Sequence, residues 1–106
     1  MTPQHLYGRL NKLLWFGRLP DATVILVDNE TMPKLWGIVM NRDENFALPI
    51  VVLNYFRPGG WGITLVHEML HIAEPELRHG TAFNSIVNAY WARAQREIKN
   101  LKKKTT

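Results

Sequence analysis

Three of the chain's four histidines fall within residues 67–80, HEMLHIAEPELRHG. His67 and His71 are four residues apart, with Glu68 between them. On a helix, positions i, i+3, i+4 and i+7 share a face, so Thr64, His67, Glu68 and His71 form one polar stripe. Two imidazoles one turn apart can both reach a tetrahedral zinc ion at about 2.0–2.1 Å. A carboxylate beside them can take a proton from a water on the metal. This is the H-E-x-x-H arrangement, in which the Glu is the general base.

The surroundings of the stripe sharpen that reading. Ile63, Leu65, Val66, Met69, Leu70, Ile72 and Ala73 occupy nearly every other position of the segment. A helix this apolar is expected to be buried on most sides, leaving only a narrow polar stripe. Buried ionisable groups are costly unless paired or coordinated, and a metal is a natural partner for two imidazoles and a carboxylate. A hydrolytic zinc site takes three protein ligands and keeps one position open. His79 is the expected third ligand: Pro75 turns the chain after the helix, and Gly80 would let the backbone pass close to the metal without a Cβ clash. Glu74 and Glu76 are the competing ligands, and a surface-loop role for His79 is the alternative. His5, remote in sequence and with Gln4 and Arg9 as polar neighbours, reads as a solvent-facing helix residue.

Several elements must position these groups. Thr2-Pro3 reads as an N-cap followed by proline at the first helical position. Leu6, Leu10, Leu13 and Leu14 then share a face, and Gly17 and Pro20 close the first helix. Strands are expected at residues 23–28 (TVILVD), 35–41 (LWGIVMN) and 46–53 (FALPIVVL). The turn NRDEN at 41–45 joins the last two strands as a hairpin, and Pro49 marks the third strand as an edge or a bulge. The zinc-site helix is expected from about residue 61 to 73, where Pro75 prevents its continuation. A last helix from about 80 to 101 carries the apolar stripe Phe83, Val87, Tyr90, Trp91, Ala94, Ile98 and Leu101. The layout is α+β: an N-terminal helix, a small three-stranded antiparallel sheet and two further helices.

Composition bounds the rest. At 106 residues the chain is expected to be one domain, residues 1–106. The 46% apolar content suits a globular fold and argues against disorder. The sequence has no cysteine, which removes disulfides and thiol chemistry and fits a reducing, cytoplasmic setting. No apolar run approaches the roughly 18 residues of a membrane span. The first twenty residues are basic but lack the serine richness of a transit peptide, so they read as a docked helix. Net charge is +4 and unevenly spread. Residues 1–79 hold seven Lys/Arg against eight Asp/Glu, whereas residues 80–106 hold six against one. The basic tail, from about residue 93, is either a solvated helix end or a surface for a polyanion.

HEMLH followed by HGTAF, after a strand ending in IVVLN, resembles the SprT-like zinc metalloprotease domain, the family of the Spartan proteases that degrade proteins crosslinked to DNA. The resembling positions are His67, Glu68, His71, His79, Gly80 and Phe83, and the likeness covers roughly residues 5–95. H-E-x-x-H is shared by many zincins; the His-Gly-x-x-Phe continuation is the more specific part. Metzincins would require a Gly after H-E-x-x-H-x-x, where this chain has Glu74. Three-histidine zinc endoribonucleases carry Gly in place of Glu68, and deformylases need an upstream Cys.

The resemblance implies a zincin-like fold and peptide-bond hydrolysis, with zinc on His67, His71 and His79 and Glu68 as general base. It also implies an extended protein or peptide substrate pairing with a sheet edge, either the third or the second strand. Tyr55, Arg42 and Asn54 are open candidates for an oxyanion donor. Many longer family members carry a Cys-rich zinc ribbon, whereas this sequence ends at KNLKKKTT, so DNA targeting does not carry over with the protease core. Arg93, Arg96, Lys99, Lys102, Lys103 and Lys104 could substitute through nonspecific phosphate contacts. Tyr90 and Trp91, the nearest aromatics, read as core. Two alternatives stand beside the enzyme: a non-catalytic zinc-containing module that binds nucleic acid or protein, and an α+β domain without metal. Glu68 separates enzyme from module, because a purely structural site has no need of a carboxylate there.

Overall fold

Thr2 opens the first helix by accepting the His5 N–H on its hydroxyl at 3.1 Å, and Pro3 follows at the first turn, where a missing N–H costs nothing. The computed structural model describes residues 2–28, 37–40, 49–54 and 61–104, with only the backbone of Met40 and of residues 100–104. The elements are α1 (Pro3–Trp15), β1 (Thr23–Val27), β2 (Gly37–Met40), β3 (Ile50–Asn54), α2 (Trp61–Ala73) and α3 (Thr81–Lys104). Helix α1 ends at Phe16, in the left-handed conformation with φ 56°, and the Gly17 N–H bonds back to the Asn11 carbonyl at 3.0 Å. His5 is exposed, as expected of its polar surroundings.

The segment after α1 folds back and is tied to the helix by side chains. Gln4, Tyr7 and Asn11, at i, i+3 and i+7, lie on one face. Asn11 bonds Leu19 twice, donating to its carbonyl and accepting its N–H, each at 3.0 Å. The Tyr7 hydroxyl donates to the Pro20 carbonyl at 2.6 Å. Gln4 donates to the Ala22 carbonyl at 2.7 Å and accepts the Val24 N–H at 2.9 Å. Leu6, Leu10 and Leu14 go into the core as the apolar spacing predicts.

The sheet departs from the expected antiparallel arrangement. Its order is β1-β3-β2, with β1 parallel to β3 and β2 antiparallel to it. The third strand is therefore central, not an edge. Its side chains explain this: Val51 and Leu53 are wholly buried, so IVVLN takes the position with neighbours on both sides. Pro49 is compatible because it stands just before β3, where its carbonyl accepts the Thr23 N–H at 3.0 Å. The antiparallel β2–β3 pair agrees with a hairpin, while its turn at 41–45 lies outside the described residues.

The helices cover one face of the sheet. The cross-strand rows Val24–Val51–Val39 and Leu26–Leu53–Gly37 face α1 and α2, while Ile25 and Ile38, paired with Val52 in the row between, face outward and are exposed. Leu10, Leu65, Val66, Met69 and Phe83 complete the core. Each such side chain contributes about 1.5–3 kcal/mol by leaving water. Trp91 reaches over α2 at Gly62, where a Cβ would overlap its ring, and Tyr90 meets Trp15 edge-on at 5.4 Å. Both aromatics are thus packed, as their place on the α3 stripe predicts. No helix among the described residues is long and apolar enough to cross a membrane.

Candidate metal centre

Helix α2 presents its polar residues as the spacing requires. Thr64 and Glu68 are each 5% exposed, His67 and His71 are half-buried, and the remaining face is set in the core by Leu65, Val66, Met69 and Leu70. The helix closes with the Glu74 N–H on the Leu70 carbonyl, and the turn that follows is held by the Leu77 N–H on the Glu74 carbonyl. Leu77 packs against the core and pins this excursion. The chain then returns to place His79 at the start of α3, where the Asn84 N–H bonds the Gly80 carbonyl.

Gly80 has φ +153°, and a Cβ there would meet nothing within 4 Å. This glycine allows a backbone conformation that side-chain-bearing residues rarely take.

The excursion brings three ring nitrogens together. The Nε2 atoms of His67 and His79 are 3.2 Å apart, those of His71 and His67 3.2 Å, and those of His79 and His71 2.7 Å. A neutral imidazole nitrogen is either a donor or an acceptor, never both. Among three such atoms at least two must be of one kind, so hydrogen bonding cannot satisfy all three contacts. A cation can. A point about 1 Å above the plane of the three nitrogens lies about 2.0 Å from each, the zinc–imidazole distance. Phe83, fully buried in the first turn of α3, lies against all three rings, with centroids 4.7 Å from His67, 4.7 Å from His71 and 5.2 Å from His79. It keeps water from one side of the cluster, while the exposed His79 leaves the other side open.

Electrostatics favour the ligand form. The His67 pKa is pushed down to about 4, first by burial and then by the neighbouring His71 and His79. Its imidazole is therefore neutral near pH 7, with a lone pair available. His67, His71 and His79 form the group that could hold a metal ion. Glu74 and Glu76 are exposed and stand outside it.

Glu68 lies where the sheet meets the site. A Cβ at Gly37 would come within 2.8 Å of Thr64 Cγ2, 3.1 Å of Glu68 Oε2 and 3.2 Å of Glu68 Cγ. The glycine thus lets β2, an edge strand among the described residues, lie directly against the Glu68 side chain. This role was not read from the sequence, although a glycine inside a strand pattern is a signal of close approach.

Comparison with protein-family models, with curated proteins and with solved structures found no match for this chain. The site therefore stands on its own geometry. Of the three oxyanion candidates, Asn54 is wholly buried at the end of β3, and Arg42 and Tyr55 lie outside the described residues. Arg93, Arg96 and Lys99 are exposed on α3. The side chains of Lys102, Lys103 and Lys104 are outside the described part.

Proposed function

We propose that the chain is a zinc-dependent metallopeptidase of the SprT-like kind. The observation that carries this reading is the convergence of the His67, His71 and His79 Nε2 atoms, with Glu68 on the same helical stripe. Three imidazoles fit zinc in number, donor type and spacing. Zinc bound there supplies a Lewis acid that polarises a carbonyl and lowers the pKa of water toward about 7.

The chain's own residues do the rest. Glu68 takes the water's proton as it attacks the scissile carbonyl and later passes it to the leaving amine. The low exposure of Glu68 keeps competing water from its carboxylate. The edge of β2, unpaired among the described residues, offers backbone donors and acceptors to an extended peptide, which would then run past Gly37 and Glu68. The central strand β3 has no free edge, so β2 is the strand for this role. On α3, Arg93, Arg96 and Lys99 suit phosphate contacts, which fits protein substrates held on DNA.

Glu68→Gln is the test. The variant keeps its zinc and its fold, and hydrolysis of an unfolded protein substrate drops by on the order of 10²–10⁴-fold. Undiminished hydrolysis by this variant refutes Glu68 as the base. A wild type that holds zinc, binds nucleic acid with a steep salt dependence and cleaves nothing supports the non-catalytic module instead.

A further inference from the structure

Thr64 carries the one buried side-chain polar atom among the described residues that lacks a hydrogen-bond partner. A helical threonine ordinarily gives its hydroxyl to the carbonyl one turn back. Here the hydroxyl is unpaired in a residue only 5% exposed. Unsatisfied buried groups are rare and ask for a cause, of which a role in catalysis is one.

The position of Thr64 points to that cause. It lies one turn before Glu68 on the same face of α2. Thr64 Cγ2 and Glu68 Oε2 both crowd the space above Gly37, at 2.8 and 3.1 Å from where a Cβ would stand. Rotation about the Thr64 Cα–Cβ bond can carry the hydroxyl into the place of the methyl. That step turns the donor toward the space above Gly37 that Glu68 Oε2 also borders.

We infer that Thr64 is a positioning residue for Glu68. In the occupied site its hydroxyl turns to donate to the Glu68 carboxylate and fixes the direction in which that group accepts a proton, and Gly37 provides the space in which the two meet. The inference rests on Glu68 being the base. It adds a residue that touches neither metal nor substrate.

The test uses zinc-loaded wild type, Thr64→Val, Thr64→Ser, Gly37→Ala and Glu68→Gln, with two small probes. Azide binds the metal alone. Acetohydroxamate binds the metal and also gives a proton or hydrogen bond to a neighbouring carboxylate. Thr64→Val keeps its azide affinity but loses about tenfold in acetohydroxamate affinity, the scale of one charge-assisted hydrogen bond. Gly37→Ala, which displaces Glu68, shows the same selective loss, Glu68→Gln a larger one, and Thr64→Ser restores wild-type binding. In turnover, Thr64→Val lowers kcat about tenfold with KM unchanged.

Without metal, Thr64→Val melts no lower than wild type, because no native bond is removed. A lower melting temperature, or acetohydroxamate affinity equal to wild type, overturns the inference while leaving Glu68 as base. A wild type that discriminates no better between the two probes than Glu68→Gln overturns the reading of Glu68, and the role of Thr64 with it.

Discussion

On α1, Gln4, Tyr7 and Asn11 turn their polar atoms toward the backbone of residues 19–24, and each finds a carbonyl or an N–H. On α2, His67 and His71 turn theirs toward each other and toward His79, and the Thr64 hydroxyl has no partner. Both sets repeat at helical spacing on one face, and both lie at the edge of the same core. They differ in satisfaction. The α1 set closes its hydrogen bonds within the fold and so serves as a brace. The α2 set brings ring nitrogens to a common point where hydrogen bonds cannot satisfy all three contacts and a cation can. Sequence spacing alone does not separate brace from site; the fate of the polar atoms does.

Breaking each set should therefore give opposite readouts. The largest effect is expected from His71→Ala. Loss of outer partners of a metal ligand alone costs 10–100-fold in affinity, so loss of the ligand itself should cost zinc affinity about 100-fold or more. Melting of the metal-free protein should change little. Zinc affinity by competition with a chelator, beside thermal melts with and without metal, checks both halves. A metal-free His71→Ala that unfolds readily would make the cluster a structural element and erase the contrast.

Asn11→Ala is the converse. It leaves the Leu19 N–H and carbonyl without their partners in a buried place, at a cost of about 2 kcal/mol or more. Denaturant unfolding should show that loss, while the folded variant binds zinc as wild type does. If zinc affinity fell in step with stability, brace and site would be one unit.

Acid should produce the smallest effect and sharpen the comparison. The unfolded chain protonates His67 near its ordinary pKa of about 6.5, whereas the folded protein resists until about pH 4. Between these values the unfolded state holds more protons, so the stability of the metal-free protein is full above about pH 6.5 and declines toward pH 4. His67→Ala should flatten that part of the profile. A variant that declines as steeply as wild type would place the sensitivity elsewhere.

The local features were legible. The α2 stripe, its end near Ala73 and the α1 cap depend on residues within a few positions, where helical periodicity and proline act directly. The return of His79 was also readable, because Pro75 and Gly80 flank the excursion, and the Gly80 backbone adds a conformational reason for that glycine. Strand pairing was legible for β2 with β3 but not for β1. Neighbouring strands were taken as partners, but β1 reaches past β2 to pair with β3, a choice made by burial across the whole sheet. Gly37 shows the same limit: its role is set by Thr64 and Glu68, about thirty residues away. The brace on α1 was not legible, because nothing in its own spacing reveals that residues 19–24 fold back over it.

The strand order has a consequence for how the molecule is made. Both outer strands pair with β3, so during synthesis the first two strands emerge without a described partner, and the sheet closes only when residues 50–54 arrive. Every proposed metal ligand follows later, at positions 67, 71 and 79. All three strands thus leave the ribosome before the first imidazole, and chain order becomes assembly order. The site itself is completed last, when α2 and α3 fold onto that sheet and bring the three histidines together.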